Sequence, residues 1–443
     1  MEMVLPEILY LLVGAGVVCC FGLFASVSIG ENKTRAAVLS GLFAVVYGVV
    51  WFGIFILRPM PEAVLYGLTG VILLGGLMFF LPLGRTSFLV VGDITEKIDE
   101  RDVIFSREEY LPGSIKYDEY YGRHPELNEI DDRIRRLPGL LEPGGRFYDP
   151  VSSSYTSSIF DVIEKLGTEV DGSVNSERIE MDTAEATIST KEMTRHLGAA
   201  EVGIAALNPA FVYTHVGRGP EKWGAQIDNK HHFAIVFALE MDYDYVEQAP
   251  RAGITEESAR EYLQGAMISL ALARYIRRLG YPARAHISGS NYQIMLPPVA
   301  HDAGLGELGR FGYLISPRYG ARVRLGAVTT DLPLLPDSPI KFGVQEFCEI
   351  CKRCAVNCPS ASIPDGAKTK VNGVEKWPLE IESCMMYWRA IGTDCGLCMK
   401  VCPFSHPDNF MHNLVRSGIK NSAVARWLSV RGEDIFYGRK AGI

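Results

Sequence analysis

Eight of the ten cysteines lie between Cys348 and Cys402, and their spacing constrains the fold of that region more than any other feature of the chain. The first run is Cys348-x2-Cys351-x2-Cys354-x3-Cys358-Pro359; the second is Cys384-x10-Cys395-x2-Cys398-x3-Cys402-Pro403. Three thiolates on one tight loop cap a face of an iron–sulfur cube. A fourth, set off by a following proline, points to a neighbouring cube. Cys348, Cys351, Cys354 and Cys402 therefore group as ligands of one 4Fe-4S cluster, and Cys384, Cys395, Cys398 and Cys358 as ligands of a second. Structural zinc also takes four thiolates, but two interlocked C-x2-C-x3-C-P endings suit cubes and not a zinc knuckle. A disulfide framework would spread its cysteines through a short secreted domain. The longer gap before Cys395 departs from the simplest ferredoxin pattern and leaves Cys384 the least constrained ligand. The expectation is a ferredoxin-like module over residues 341–412. Such paired clusters relay single electrons without saying to what.

The opposite end is apolar. Residues 6–29, 36–57 and 63–83 form three runs almost free of charge. Each is long enough to cross a ~30 Å hydrocarbon layer at 1.5 Å per residue. The connectors 31–35 and 58–62 hold the charges and the helix breakers. A cleaved signal peptide needs a basic start, and only Glu2 and Glu7 are charged there. No twin-arginine pair precedes the first run. These features predict a three-helix transmembrane anchor over residues 1–85. Lys33, Arg35 and Arg85, with Lys97 and Arg101 beyond, crowd one side, against Arg58 on the other. The basic side belongs in the cytoplasm. The expectation is thus a multi-pass protein of the inner membrane with its C-terminal body on the cytoplasmic face.

Between these ends the chain is ordinary globular sequence. With 44 basic and 52 acidic residues the net charge is −8, which argues against a nucleic-acid partner. At 48% hydrophobic and 22% charged it is not a disordered chain. Residues 86–180, broken by Pro112-Gly113, Pro138-Gly139 and Pro143-Gly144-Gly145, read as a loop-rich wrapping linker with a short helix at 126–137. Residues 181–340 read as an α/β domain. It has a helix at 182–197, a buried strand at 232–239, and a long helix at 255–279 with Thr255 as N-cap and Arg277-Arg278 in its last turn. Residues 413–443 are a tail. No G-x-G-x-x-G fingerprint or Walker A loop supports nucleotide chemistry.

A series of short motifs adds a resemblance. Ala303-Gly304-Leu305-Gly306-Glu307-Leu308-Gly309-Arg310 is followed by Leu314-Ile315-Ser316-Pro317-Arg318-Tyr319-Gly320 and Val323-Arg324-Leu325. Then come Thr330-Asp331-Leu332-Pro333-Leu334, Pro336-Asp337-Ser338-Pro339-Ile340 and Phe342-Gly343-Val344-Gln345-Glu346-Phe347-Cys348. Together with Met241-Asp242-Tyr243-Asp244, Ala249-Pro250 and the helix ending at Tyr281, this order resembles the corrinoid-dependent reductive dehalogenases over roughly residues 182–438. The resemblance implies a mixed α+β and α/β fold. A nitroreductase-like core would hold a base-off cobamide, a B12-type corrinoid, followed by the ferredoxin-like module with two 4Fe-4S clusters. It implies an organohalide substrate whose halogen is replaced by hydrogen. The electron donor could be a ferredoxin, a flavoprotein or a quinol-linked carrier. Family members are typically exported through a twin-arginine signal and docked on a separate anchor. Here the apolar runs are fused to the chain, which makes the lipid bilayer a direct partner.

Residue by residue, the resemblance assigns Tyr262 as proton donor and Arg324 as the arginine beside it. A phenol is a poor acid at neutral pH, with a pKa of ~10, and a nearby guanidinium favours its ionised form. Spacing alone reads Tyr262 as packing, since it shares a helical stripe with Ala266, Leu270 and Ala273. It reads Arg324 as a solvated surface residue. The family also carries a polar side chain between the helix and the glycine-rich loop. Counting back from Gly304 gives Asn291, which we favour, and counting forward from Tyr262 gives Ser288. His286 is a third candidate, able to titrate near neutrality, although a lone histidine is more often a satisfied structural one. Ala303, Gly304, Leu305 and Gly306 are read as a backbone loop approaching the corrin, with a plain helix turn as the alternative. No D-x-H-x-x-G element offers a histidine to cobalt. Two other functions compete. An epoxyqueuosine-reductase-like enzyme should be basic and soluble. A membrane-tethered ferredoxin-type carrier should hold clusters and no cobalt.

Overall fold

The computed structural model describes residues 5–57, 61–89, 94, 96–290 and 292–442. Arg58 and Asn291 lie outside the described residues. The chain forms two compact units, Met1–Ser87 with Pro407–Gly442, and Phe88–His406.

The first unit is built on the helices Leu5–Gly30, Thr34–Leu57 and Glu62–Phe80, all three long and apolar enough to cross a membrane. Most of their large side chains face outward, as expected for helices solvated by lipid. The first two are locked by one reciprocal contact. Tyr10 Oη donates to the Trp51 carbonyl at 3.0 Å, and Trp51 Nε1 donates to the Tyr10 carbonyl at 3.1 Å. The two rings stack at 4.1 Å. Gly14 makes this approach feasible, because a Cβ there would come within 2.2 Å of the Trp51 ring. Residues expected to be a tail instead form two helices, Phe410–Asn421 and Ala423–Phe436, joined at Ser422, whose hydroxyl accepts from the Ala425 N–H.

The second unit differs from expectation at its start. The short helix expected at 126–137 is present as Pro125–Arg135, but where the rest was expected to be loop-rich linker the helices Ile104–Arg107 and Ile115–Arg123 precede it, and Pro150–Lys165 comes next. Their sequence looks polar because they bury charge in pairs. Arg107 donates to both Asp131 oxygens at 2.9 and 2.6 Å and to Glu382 at 2.9 Å. Tyr110, Tyr120 and Tyr121 form the apolar centre of this segment. Such paired burial leaves no hydrophobic period to read.

The core sheet holds strands Glu201–Ala206, Phe233–Glu240, Val323–Thr330 and Ala283–His286, side by side in that order, every pair antiparallel. Phe233–Glu240 is buried on both faces, as its unbroken apolar run requires. Helix Thr183–His196 starts on the Asp182 N-cap. The long helix Ala252–Arg278 packs across the sheet through Ala266, Leu272, Ala273 and Ile276. It begins three residues before Thr255, which is therefore not its N-cap. The Thr255 hydroxyl bonds to Asp394 instead, so a tertiary partner takes the side chain that local sequence assigned to capping.

Candidate functional site

The cysteines sit on short helices separated by left-handed residues. Helix Val344–Cys351 is entered through Gly343 at φ 87° and left through Lys352 at φ 58°. Cys395 itself has φ 57° and Gly396 φ 67°. A Cβ at Gly396 would lie 2.5 Å from Ile254, so only glycine lets this loop close on the core helix. Buried Arg310 fastens the module by donating to the Cys348 carbonyl at 3.1 Å and to the Pro364 and Gly366 carbonyls at 2.8 and 2.9 Å. A small cavity is lined by Cys348, Cys351, Cys354 and Cys402, with Phe311, Phe347 and Phe404 around them. Cys358, Cys384, Cys395 and Cys398 make the other group. The Cys398 thiol is pushed up by burial and then by Cys395, Cys384 and Cys358.

All eight are free thiols. Burial pushes Cys348 and Cys384 up to about 11 and Cys395 up to about 12. Without a metal such thiols would stay protonated. Coordinated iron supplies the positive charge that lets them ionise in a dry site. This donor chemistry fits two iron–sulfur clusters.

Beside the second group of cysteines stands a cluster of polar side chains. Tyr262 lies on the core helix, its ring packed 6.2 Å from Phe160 and partly buried against the main core. Arg324 lies on strand Val323–Thr330 with its Cζ 5.6 Å from the Tyr262 ring centroid. Arg324 Nη2 donates to Ser258 Oγ at 2.6 Å and meets Asp394 Oδ2 at 3.3 Å. Ser258 Oγ donates to that same oxygen at 2.6 Å, and Thr255 Oγ1 donates to Asp394 Oδ1 at 2.9 Å. Asp394 directly precedes Cys395. Three remote segments thus converge on one carboxylate. Arg324 Nε is buried without a hydrogen-bond partner. Burial works against the Arg324 charge, but Tyr262, Asp394, Tyr313 and Cys398 outweigh it and hold the guanidinium above its ordinary value.

Two further phenols are close enough to feel Tyr262 and Arg324. Tyr292 is raised by burial and then by Tyr262, while a hydrogen bond from Ser288 and the charges of Arg218 and Arg324 oppose the rise. Tyr313 is raised by burial and then by Cys398. Sequence reasoning did not find Tyr292, Tyr313, Ser258 or Asp394. Tyr292 is one residue from the favoured Asn291, so the segment was legible and the side chain was not.

His286 follows the structural reading of a lone histidine and not the titrating one. Its Nε2 lies 2.9 Å from Thr329 Oγ1, and its Nδ1 contacts the Tyr292 carbonyl. Burial, reinforced by Arg284, holds its pKa well below 6.5. A ring that stays neutral with both nitrogens engaged is a structural link and not a proton source near neutrality. The Ala303–Gly306 segment follows helix Leu296–Asp302, with Ala303 and Leu305 in the core. A Cβ on Gly304 would lie 2.6 Å from the Ser338 carbonyl oxygen, and one on Gly306 2.2 Å from that of Ile315. Glycine is required there by the chain's own backbone.

Residues 347–406 match the 4Fe-4S dicluster domain family. The chain is 31% identical over 297 residues to the tetrachloroethene reductive dehalogenase of Sulfurospirillum multivorans, covering 59% of each. It is 32% identical over 279 residues to that of Desulfitobacterium hafniense, covering 52% of this chain and 50% of the other. The chain therefore spans between half and three-fifths of the length of these relatives. Among solved structures, the catabolic reductive dehalogenase NpRdhA superposes with a TM-score of 0.64 at 25% identity, over 82% of this chain and 50% of that one. NpRdhA has also been solved in complex with 3-bromo-4-hydroxybenzoic acid.

Proposed function

We propose that this chain, a homologue of the reductive dehalogenases in sequence, core fold and dicluster module, replaces a carbon-bound halogen by hydrogen. The balance is one organohalide, two electrons and one proton in, and one C–H product and one halide ion out. The observation that carries the reading is the Tyr262–Arg324 pair, held through Asp394 against the loop bearing the second group of cysteines.

The cysteine groups accept two 4Fe-4S clusters, Cys348, Cys351, Cys354 and Cys402 for one and Cys358, Cys384, Cys395 and Cys398 for the other. A base-off cobamide would be held beside Tyr262, Tyr292 and Tyr313, with the 303–306 backbone as the contact implied by resemblance. When bound, it supplies strongly reducing electrons to the carbon–halogen bond. The chain's own residues do the rest. Tyr262 presents its phenol hydrogen to the carbon that loses the halide. Arg324 stabilises the charge left on that oxygen. The buried, unpartnered Arg324 Nε is a further donor for an anion beside Tyr262. Asp394 and Ser258 keep the guanidinium in place. His286, with both ring nitrogens engaged within the protein, would not serve as a metal ligand.

The test is metal and halide analysis of anaerobically purified protein reconstituted with cobamide. About one cobalt and about eight irons per chain are expected from two cubes and one corrinoid, with halide released from an aryl or vinyl halide under a low-potential donor. Clusters without cobalt would make the chain an electron carrier instead. We also propose that the three apolar helices span the membrane with Lys33, Arg35 and Arg85 inside. A reporter fused after Ile443 should then be active in the cytoplasm, and strong periplasmic phosphatase activity from that fusion would reverse the orientation.

A further inference from the structure

The helix Ala423–Phe436 carries an apolar stripe that the described residues leave exposed. Ala423, Trp427, Arg431 and Ile435 follow one another at four-residue steps, with Leu428 beside them, and all five are exposed. Trp427 is 54% exposed, Ile435 48% and Leu428 42%, too much apolar surface for a helix facing water. The one charge in the stripe, Arg431, is placed with its Cζ 5.6 Å over the Trp427 ring. An aromatic with a neighbouring long cation is the pairing found where hydrocarbon meets headgroups.

The opposite face of this helix shows where it lies. At its start, the Ala423 N–H donates to the Leu83 carbonyl at 2.6 Å, and Arg426 Nη2 donates to the Arg85 carbonyl at 3.1 Å. The preceding Ser422 hydroxyl donates to the Met78 carbonyl at 2.8 Å. At its end, Phe436 packs against Phe24, Phe43 and Phe21, with ring centroids 5.1, 6.0 and 6.3 Å away. Arg35 Nε donates to the Ile435 carbonyl at 3.0 Å. The helix therefore runs from the end of the third apolar helix across to the flanks of the first two. Phe21 lies nine residues before Gly30 and Phe43 nine residues after Thr34. At 1.5 Å per residue both rings are about 13 Å along their helices from the connector. A helix seated there is at the level of the upper acyl chains.

We propose that Ala423–Phe436 is a membrane-interface helix whose exposed stripe is covered by phospholipid, so that the anchor consists of three spans and one in-plane element. Charge agrees with this partner. Residues 407–442 hold Arg416, Lys420, Arg426, Arg431, Arg439 and Lys440 against Asp408, Glu433 and Asp434, or +3, in a chain whose net charge is −8. Such a segment suits an anionic lipid surface. The inference rests on the reading that the apolar helices span a bilayer, and not on the dehalogenase chemistry.

The experiment uses the full chain in proteoliposomes of phosphatidylglycerol and phosphatidylcholine carrying bromine on the acyl chains. The contribution of Trp427 to the emission is the difference between parent and Trp427→Phe, a change that keeps a ring in the stripe. That contribution should lose most of its intensity to bromine near the glycerol end. Ile435→Trp on the Trp427→Phe background should be quenched better by bromine at mid-chain, because Ile435 adjoins Phe436 at the deep end. Leu73→Trp on the Trp427→Phe background, at an exposed position of helix Glu62–Phe80, reports on the spans. Quenching of that tryptophan with none of Trp427 would overturn the interface helix while leaving the spans intact. Quenching of neither would remove the spans and the inference together. A Trp427 signal shielded from both lipid and aqueous iodide, with cross-linking between chains at that helix, would assign the stripe to a second copy and overturn the lipid assignment.

Discussion

Arg324 stands over the Tyr262 ring with its Cζ 5.6 Å from the ring centroid, although the two residues come from different elements and neither was bound to the other by local sequence. The pair joins a phenol to a cation that cannot lose its proton. The first prediction tests the role of each. Tyr262→Phe keeps the ring and its packing on Phe160 but removes the transferable hydrogen. Halide release should fall by ~10²–10⁴ with cobalt, iron and Tm unchanged, the usual worth of a positioned general acid. Arg324→Met should also slow turnover, and the double variant should lose less than the sum of the two. A fully loaded Tyr262→Phe protein with parental kcat would remove Tyr262 from the chemistry.

Asp394 should act through Arg324. Asp394→Asn keeps the shape and can still accept from one of the two hydroxyls, Thr255 or Ser258, but it loses the second acceptor oxygen and the charge facing the guanidinium. We expect kcat to fall by about tenfold, the scale of one lost charge-assisted hydrogen bond, with KM little changed. Combined with Arg324→Met it should add almost nothing. Additive losses that track a lower Tm would make Asp394 merely structural.

The cysteine groups should fail separately. Cys351→Ser removes a thiolate from the group lining the cavity beside Phe347, and Cys398→Ser removes one from the group beside Asp394. EPR of the reduced proteins should show one cube damaged in each variant and the other retained. Two intact, interacting 4Fe-4S signals in both variants would refute the grouping.

Glu261 should give stability a pH slope. Burial, then Glu257, raises its carboxyl to about 7 from 4.5, and the Arg260 and Arg324 charges offset only part of that. A carboxyl whose folded pKa is raised contributes stability that is complete below its unfolded pKa and is lost as pH rises through the folded value. The rise from 4.5 to about 7 corresponds to about 3 kcal/mol, lost between roughly pH 4.5 and 7. Glu261→Gln should flatten the decline of Tm over that window. An unchanged slope in the variant would show that other groups set it.

The sequence alone determined what depends on short-range spacing. Cysteines three residues apart, apolar runs of membrane length, the strand Phe233–Glu240 and the helix after Asp182 are all legible, because each is a period along one element. Only the tertiary structure decided which elements meet. The antiparallel sheet sets Arg324 opposite Leu239, and the core helix brings Ser258 and Tyr262 to that strand end. The cluster loop then delivers Asp394 from far along the chain. The same long-range closure took Thr255 out of its expected cap and neutralised His286 by burial. It also folded a supposed tail into two helices against the apolar unit. Local pattern carries the period of a helix or strand. The pairing of residues more than a hundred positions apart depends on sheet order and packing, which no short window of sequence contains.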